Sequence, residues 1–229
     1  EYVMAIELKN VSKKYKKKLV FADVDLKIEQ GIFAMLRGSS GAGKSTLLNI
    51  IGGIDTPSSG EVLIDGMDVA KLHGKGRAEI FQQKIGFVFQ GFYLQPQLTV
   101  GENIELAGVF ANMPQDERHK RVKELAEQLG IMEIVDSLPV NVSGGQAERA
   151  CVAQALFMRP GILLVDEPTN NLDSRNVKKV LDMFGEVRQK LGTTVIVASH
   201  DERVEGYAQQ IIDVEDGKVW VAGDNEISR

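Results

Sequence analysis

Apolar and polar positions alternate in the first part of the chain, as they do in half-buried strands. Val24, Leu26 and Ile28 alternate with charged residues, which predicts a strand with one buried and one solvated face. Residues 61–64 form another predicted strand, followed by the turn Asp65-Gly66. These features predict an antiparallel β-subdomain near the N terminus.

Mainly apolar runs mark a second kind of strand. They occupy residues 32–36, 85–89, 162–165 and 193–198. The run at 162–165 is typical of a central parallel strand that is buried on both faces. Together the runs predict an α/β core built on a mainly parallel sheet.

Residues 91–158 carry helical patterns and few strand signals. One helix is predicted to open after Pro114 and to close at Gly130. Its apolar stripe consists of Val122, Leu125 and Leu129. We expect one domain over residues 1–229, divided into an α/β core, residues 1–90 and 159–229, and an inserted helical subdomain, residues 91–158.

A further helix is predicted between Asp173, as its N-terminal cap, and Gly192, as its stop. The positions predicted to face inward are Val177, Val180, Leu181, Phe184 and Leu191.

A glycine-rich stretch lies between the first apolar run and a predicted helix that stops at Gly52. It reads Gly38-Ser39-Ser40-Gly41-Ala42-Gly43-Lys44-Ser45-Thr46 and fits the pattern G-x-x-x-x-G-K-[ST], in which backbone N–H groups and a helix start bind phosphates. A glycine-rich turn before an ordinary helix is the alternative. The motif predicts a nucleoside triphosphate, with Lys44 on the β- and γ-phosphates, Ser45 on Mg²⁺ and Thr46 near the α-phosphate.

A second glycine-rich helix start is Ser143-Gly144-Gly145-Gln146. Ser143 and Gln146 have the spacing of a capping box. The predicted buried face of this helix is Ala147, Ala150, Cys151, Ala155 and Met158. An ordinary capped helix is one interpretation, but exposed N–H groups at the positive end of a helix dipole would also bind phosphate.

Polar side chains follow three of the apolar runs: Gln90, Asp166 with Glu167, and His200. In open α/β sheets, ligands bind beyond the carboxyl ends of the strands. We predict that Asp166 holds the water shell of Mg²⁺ and that Glu167 polarises the attacking water.

Lysines surround Tyr15 upstream of the phosphate loop. We interpret Lys13, Lys14, Lys16, Lys17 and Lys18 as a solvated hairpin turn. Tyr15 is the better candidate for function, because its ring can stack on a flat base without reading the hydrogen-bonding edge of that base.

Charge and composition narrow the class of protein. The net charge of −5 argues against nucleic-acid binding, which favours basic domains. Cys151 is the only cysteine, which excludes an internal disulfide and suits a reducing cytosol. No apolar run approaches the ~18 residues of a membrane span, and no signal peptide is visible. We expect a soluble cytoplasmic chain that meets the membrane only through a partner.

Taken together and in this order, the motifs resemble an ABC-type ATPase, the nucleotide-binding subunit of an ATP-binding-cassette transporter, over nearly the whole chain. The matching elements are Gly38 to Thr46 for the Walker A loop, Gln90 for the Q-loop, Ser143 to Gln146 for the signature, Ile162 to Asp166 for Walker B, Glu167 for the catalytic glutamate, Leu172-Asp173 for the D-loop, His200 for the switch histidine and Tyr15 for the A-loop aromatic.

The resemblance implies ATP and Mg²⁺ as cofactors and a head-to-tail homodimer that forms with ATP. Each ATP is sandwiched between the Lys44 loop of one copy and Ser143 to Gly145 of the other. The catalytic residues that the resemblance implies are Lys44, Gln90, Glu167 and His200. The implied metal contacts are Ser45, Gln90 and Asp166. Asp173 is implied to contact the nucleotide. An integral membrane permease is expected to contact the chain near Gly91 to Leu98.

The subgroup resembled is the lipoprotein-releasing and macrolide-export group, which includes the cell-division ATPase. The similar segments are residues 53–57, 89–99 and 166–173. The group usually has Thr-Gly-Asn-Leu-Asp where this chain has Thr169-Asn170-Asn171-Leu172-Asp173. Further departures are Ala147 and Glu148 in place of the usual polar pair after the signature, and Gln154 where an arginine is common.

Two functions follow from the resemblance: a motor that drives a separate permease of the export or extraction type, or an ATP-gated regulatory module that transports nothing. A chromosome-maintenance ATPase is disfavoured, because 98 residues without coiled-coil heptads separate Lys44 from Ser143. A GTPase is disfavoured because the guanine-reading Asn-Lys-x-Asp does not occur in the sequence.

Overall fold

The computed structural model describes residues 4–91, 93–170 and 172–223. Within these residues the strands are β1 Met4–Tyr15, β2 Lys18–Glu29, β3 Phe33–Arg37, β4 Ser59–Ile64, β5 Met67–Asp68, β6 Ile85–Val88, β7 Ile162–Asp166, β8 Thr194–Ser199, β9 Gln210–Glu215 and β10 Lys218–Val221. The α-helices are α1 Lys44–Ile51, α2 Gly74–Lys84, α3 Val100–Phe110, α4 Gln115–Gln128, α5 Gly144–Leu156 and α6 Ser174–Leu191. Short 3₁₀ helices cover Val69–Lys71, Met132–Ile134, Pro139–Asn141 and Glu202–Tyr207.

The N-terminal strands form an antiparallel sheet in the order β2-β1-β4-β5. Val24, Leu26 and Ile28 are buried on one face of β2, while the charged residues between them are exposed. The predicted half-buried strand is therefore confirmed. The buried face joins α1 in one hydrophobic cluster, which fixes this sheet beside the phosphate loop.

The second sheet has the order β10-β9-β3-β8-β7-β6. All its neighbouring strands are parallel except β10, which pairs antiparallel with β9. The apolar runs of β3, β8 and β7 become the central strands because both of their faces are covered, whereas the run at 85–88 forms the edge strand β6. The predicted fold, a P-loop-type α/β core with an antiparallel β-subdomain, is confirmed. The strand predicted to reach Phe89 ends at Val88, and the half-exposed Phe89 ring stacks on Phe87 with 4.3 Å between centroids.

Helices α3, α4 and α5 pack together, and one hydrophobic cluster joins them to β7, β8 and α6. The predicted helix after Pro114 is present as α4. Buried Arg121 of α4 donates to the carbonyls of Leu156 and Phe157 at the end of α5, where a cation complements the helix dipole. The division of the chain at residues 91 and 158 stays a prediction.

The buried face predicted for α5 is only partly right. Ala150 and Cys151 are buried, but Ala147, Ala155 and Met158 are only half-buried. The buried positions instead run around the helix, because α3, α4 and β6 contact it from several sides. They are Glu148, Ala150, Cys151, Val152, Ala153 and Leu156.

Helix α6 begins and ends as predicted. The Asp173 carboxylate accepts from the backbone N–H groups of Arg175 and Asn176, and Gly192 closes the helix at φ +68°. The prediction for Leu191 is wrong, because this residue lies in the last turn and lines an open groove, while Val187 is buried one turn earlier. Among the residues that the structure describes, no helix has the length and apolar character to cross a membrane.

Candidate active site

An open cavity of about 610 Å³ lies at the carboxyl ends of β3, β7 and β8. The predicted site residues that line it are Tyr15, Ser39, Ser40, Gly41, Ala42, Gly43, Lys44, Ser45, Thr46, Gln90, Glu167 and His200. The fold therefore brings together the phosphate loop and three of the side chains that follow apolar runs. Gly38 and Asp166 border this group through contacts with Lys44 and Ser45.

The phosphate loop connects β3 to α1, and its described residues leave the N-terminal backbone N–H groups of α1 without a side-chain acceptor. Gly43 is the N-terminal cap residue at φ +111°, and no side chain caps the helix. A Cβ atom there would lie 2.9 Å from Val20 Cγ1, and one at Gly38 would lie 2.2 Å from the Val214 carbonyl oxygen. Glycine is thus required by both backbone conformation and close approach. The first N–H groups of α1 are available to an anion.

Lys44 is a buried cation held by oxygen atoms. Its Nζ donates to the carbonyls of Gly38 at 2.8 Å and Ser39 at 3.0 Å, and lies 3.1 Å from Glu167 Oε1. The side chain is only 4% exposed. A buried charge needs such partners, and the same ammonium can bind phosphate oxygens in the cavity.

Glu167 joins Lys44 to His200. Its other carboxylate oxygen, Oε2, lies 3.0 Å from His200 Nδ1. The backbone of Glu167 has φ +47°, a conformation that is uncommon outside glycine and is concentrated at functional sites. The side chain is 10% exposed, so the carboxylate is oriented from both sides at the cavity wall.

Ser45 and Asp166 provide the oxygen ligands that Mg²⁺ prefers. The Ser45 hydroxyl donates to Asp166 Oδ1 at 3.0 Å. Burial raises the pKa of Asp166, the Ser45 hydrogen bond opposes this, and nearby Glu167 raises the pKa further. Among the described residues there is no cluster of three or more histidine, cysteine or acidic side chains that could hold a metal alone. A hydroxyl and one carboxylate fit Mg²⁺ that arrives with the phosphates of a nucleotide.

Tyr15 lines the cavity and is 47% exposed. The lysines around Tyr15 differ in their exposure to solvent. Lys14, Lys16, Lys17 and Lys18 are exposed, as predicted, but the prediction for Lys13 is wrong. Lys13 is buried because its ammonium pairs with Asp55 at 2.7 Å, across 42 residues of sequence. Strand periodicity could have placed Lys13 and Tyr15 on one face, but no local pattern indicates Asp55.

The signature residues do not line this cavity. Ser143 and Gln146 form the predicted capping box at the start of α5, and Gly144 and Gly145 are exposed beside it. Asp173 caps α6 and also lies outside the cavity lining. Contact of these residues with nucleotide stays a prediction, as do the other assigned roles.

Sequence reasoning missed part of the cavity wall. Lys18, Leu19 and Val20 of β2 line it, together with the β9–β10 turn at residues 215–217 and Asn170. These residues come from distant parts of the chain, so only the fold reveals them. Asn170 is one of the departures from the resembled group, whereas its neighbour Asn171 lies outside the described residues.

The sequence of this chain is similar to those of known proteins. The family model described as ABC transporter matches residues 21–170. The macrolide export ATP-binding/permease protein MacB of Sodalis glossinidius is 39% identical over 218 residues, which cover 93% of this chain and 33% of MacB. This chain therefore spans about a third of the length of that relative. The bacitracin export ATP-binding protein BceA of Halalkalibacterium halodurans is 36% identical over 94% of this chain and 87% of BceA.

Solved structures agree with the sequence relatives. The dimeric structure of the ABC transporter cassette MJ0796 matches with a TM-score of 0.83 and 39% identity, over 93% of this chain and 96% of that one. The protein comes from Methanocaldococcus jannaschii. A second dimeric structure of MJ0796 is a post-hydrolysis state bound to ADP and Pi, with a TM-score of 0.83, 38% identity and coverage of 94% and 98%.

Proposed function

The chain belongs to the ABC transporter family and is an ABC-type ATPase, and from that premise we propose that it is the motor subunit of an exporter, in which ATP hydrolysis drives a separate membrane permease. The observation that carries the proposal is the chain of contacts from Lys44 through Glu167 to His200 in the cavity. Export is favoured because relatives carry the names of macrolide and bacitracin exporters. The proposed cargo class is that of the lipoprotein and macrolide group, and the regulatory alternative gains no support from these names.

The nucleotide binds with its phosphates against the phosphate loop. The N–H groups from Gly43 to Thr46 and the Lys44 ammonium bind the phosphate oxygens, because the start of α1 carries no side-chain cap among the described residues. Tyr15 stacks on the base. Ser45 and Asp166 would hold Mg²⁺, with Gln90 lining the same cavity, and the ion would offset phosphate charge.

Glu167 acts on the attacking water. The carboxylate is oriented by Lys44 on one side and His200 on the other, so it can accept a proton from a water directed at the γ-phosphate. A positioned base of this kind contributes about 10²–10⁴-fold in rate. His200 positions the carboxylate and contacts the terminal phosphate region from the cavity edge.

A second copy of the chain completes the site. The cavity is open to solvent, and the exposed Gly144 and Gly145 offer helix-start N–H groups that lie outside the lining of the cavity in their own chain, while the Ser143 N–H donates to Gln146. Placing these residues over the nucleotide of another copy gives a head-to-tail homodimer with two ATP molecules. The dimeric form of MJ0796 supports this arrangement.

The permease contact is proposed at Gly91 to Leu98, just after Gln90. Tyr93 is 77% exposed among the residues that the structure describes, so most of its aromatic ring faces solvent. Leu94 is half-buried against the core, so Tyr93 carries more of the proposed contact than Leu94. Phe92 lies outside the described residues. Through this contact the chain would sit at the cytoplasmic face of a membrane.

The proposal is tested with Glu167→Gln, which keeps the shape of the side chain and removes the base. We expect this variant to bind MgATP, to hydrolyse it about 10²–10⁴-fold more slowly, and to elute as a homodimer in size-exclusion chromatography with MgATP. Adding Ser143→Arg should abolish the dimer while each monomer still binds ATP. A Glu167→Gln chain that stays monomeric in saturating MgATP, while the wild type hydrolyses ATP, would refute the homodimeric sandwich.

A further inference from the structure

Three side chains meet behind the ring of Tyr15. The Lys13 ammonium donates to Asp55 Oδ1 and to the Thr56 carbonyl, each at 2.7 Å. The Tyr15 hydroxyl donates to the other carboxylate oxygen, Asp55 Oδ2. The Lys13 ammonium also lies 4.5 Å from the centroid of the Tyr15 ring. The ring is thus anchored at its hydroxyl and covered on one face.

The hydrogen bonds of this cluster shift the pKa values of Asp55 and Tyr15 in opposite directions. Burial disfavours the ionised form of Asp55, but hydrogen bonds from Lys13, Tyr15 and Thr56 outweigh it and lower the pKa of the carboxyl. The Asp55 hydrogen bond, followed by burial, raises the pKa of Tyr15. Tyr15 therefore stays a neutral donor to an ionised acceptor, which is the stronger class of hydrogen bond.

The cluster connects the ring to the helix of the phosphate loop. The backbone N–H of Asp55 donates to the carbonyl of Asn49 in α1 at 3.0 Å, so the anchor of the ring is tied to the element whose start binds phosphate. Lys13 lies against one face of the ring, and the ring lines the cavity, so a base would stack on the face opposite Lys13. The half-exposed ring would otherwise have to lose its rotamer freedom when a nucleotide binds.

We propose that Asp55, together with Lys13, is a positioning residue for the nucleotide base: it holds the Tyr15 ring in the orientation that stacks on the base. Asp55 does not line the cavity and acts through Tyr15. This assignment rests on the proposed nucleotide function of the cavity. It adds a determinant of base affinity, separate from the phosphate contacts of the Lys44 loop.

The test compares a ligand that has a base with one that lacks it. Binding of MgADP and of magnesium pyrophosphate is measured by isothermal titration calorimetry for wild type, Asp55→Ala and Tyr15→Phe. Tyr15→Phe removes only the hydroxyl anchor and leaves the Lys13–Asp55 ion pair intact. Because stacking accounts for only part of the affinity, we expect both variants to weaken MgADP about two- to tenfold and to change pyrophosphate affinity less than about twofold.

A matched control exists in the same chain. Tyr207 donates to Asp182 at 2.8 Å, and Lys178 pairs with Asp182 at 2.7 Å, away from the cavity. Asp182→Ala removes the same kind of cluster and should leave both affinities unchanged. Tyr15→Ala supplies the second control, since adding Asp55→Ala to it should weaken MgADP no further.

Several outcomes would overturn the assignment. Equal weakening of MgADP and pyrophosphate in Asp55→Ala would mean that Asp55 supports the phosphate loop and not the ring. Additive losses in Tyr15→Ala and Asp55→Ala would mean that Asp55 acts independently of Tyr15. Unchanged MgADP affinity in Tyr15→Phe would show that the anchor is dispensable. A wild-type chain that binds neither ligand would instead refute the nucleotide function itself, and the assignment with it.

Discussion

The two glycine-rich helix starts of this chain have similar sequences and opposite surroundings. At α1 the cap residue is Gly43, no side chain caps the helix, and the loop forms the wall of a cavity. At α5 the Ser143 hydroxyl accepts from the backbone N–H of Gln146, and the Gln146 side-chain oxygen Oε1 accepts from the backbone N–H of Ser143. One start leaves its donors for a ligand, while the other satisfies part of them internally and stays exposed.

The different surroundings mean that the start of α1 belongs to a complete candidate phosphate site, whereas the start of α5 would supply only part of one. The phosphate loop curves around the start of α1. The buried Lys44 ammonium and the carboxylates of Glu167 and Asp166 lie beside it. The start of α5 has N–H groups and a dipole, and Arg149 lies near it, since a Cβ atom on Gly145 would be 4.0 Å from Arg149 Nη1, but its described residues do not line the nucleotide cavity. The Gln146 side-chain amide donates to Glu133 at 3.2 Å. The dipole of a helix start alone contributes only about 0.3–1 kcal/mol, so in the proposed dimer α5 would contact a nucleotide that is already bound to the other copy.

The largest expected effect is on nucleotide affinity. Lys44→Ala removes charge-assisted hydrogen bonds to phosphate, each worth about 1.5–3 kcal/mol, so MgATP affinity should fall by about 100-fold or more. Ser143→Ala in the monomer should change it less than about twofold. Calorimetric titration of dilute protein measures both values. A large loss of affinity in the monomeric Ser143 variant would contradict the distinction between a complete and an incomplete site.

The second effect is stabilisation by ligand. A ligand at 100 times its Kd stabilises the folded state by about 2.7 kcal/mol, which for a chain of this size raises Tm by roughly 5–10 °C. We expect MgADP to give this shift in wild type and in Ser143→Arg, since ADP needs only the α1 site. Lys44→Ala should show little shift at the same concentration. Differential scanning calorimetry with and without MgADP decides this, and loss of the shift in Ser143→Arg would show that α5 contributes to the site of its own chain.

Much of the site could be predicted from the sequence, because its chemistry depends on contiguous motifs and on strand ends. The phosphate loop, Glu167 and His200 follow patterns that local reading recognises, and the fold brings them together at one edge of the sheet. Lys13 could not be interpreted correctly, because its partner Asp55 is 42 residues away and a lysine in a run of lysines resembles a solvated turn. The burial of Glu148 could not be predicted from the local sequence either, because it depends on the elements that pack against α5.

Glu148 of α5 and Lys44 of α1 are two buried ionisable residues that differ in their hydrogen-bond partners. Both side chains are buried, but Lys44 has three oxygen partners, whereas within the described residues Glu148 Oε1 has no hydrogen-bond partner. Burial raises the pKa of Glu148 from 4.5 to about 7. Between these values the folded chain binds a proton that the unfolded chain has released, so the free energy of unfolding falls as pH rises.

Glu148→Gln removes this pH dependence because the amide stays neutral. We expect the stability of the variant relative to wild type to increase by roughly 1–3 kcal/mol between pH 5 and pH 8. Urea unfolding at several pH values measures the difference, and Glu186→Gln, at an exposed position on α6, is the control. A constant difference between wild type and Glu148→Gln over this range would mean that Glu148 is solvated or paired in solution.

The smallest effect concerns the capping box itself. If the start of α5 is stabilised by its own side chains, Ser143→Ala should lower the free energy of unfolding by about 1 kcal/mol, as loss of an N-cap does. Ser143→Thr should retain most of this stability, because threonine keeps the accepting hydroxyl. Asp173→Ala, at the capped start of α6, should cost a similar amount and serves as the comparison. Equilibrium urea unfolding without nucleotide measures all three. Should Ser143→Ala be neutral while Asp173→Ala is destabilising, the signature start would not be self-capped in solution, and its donors would be as free for phosphate as those of α1.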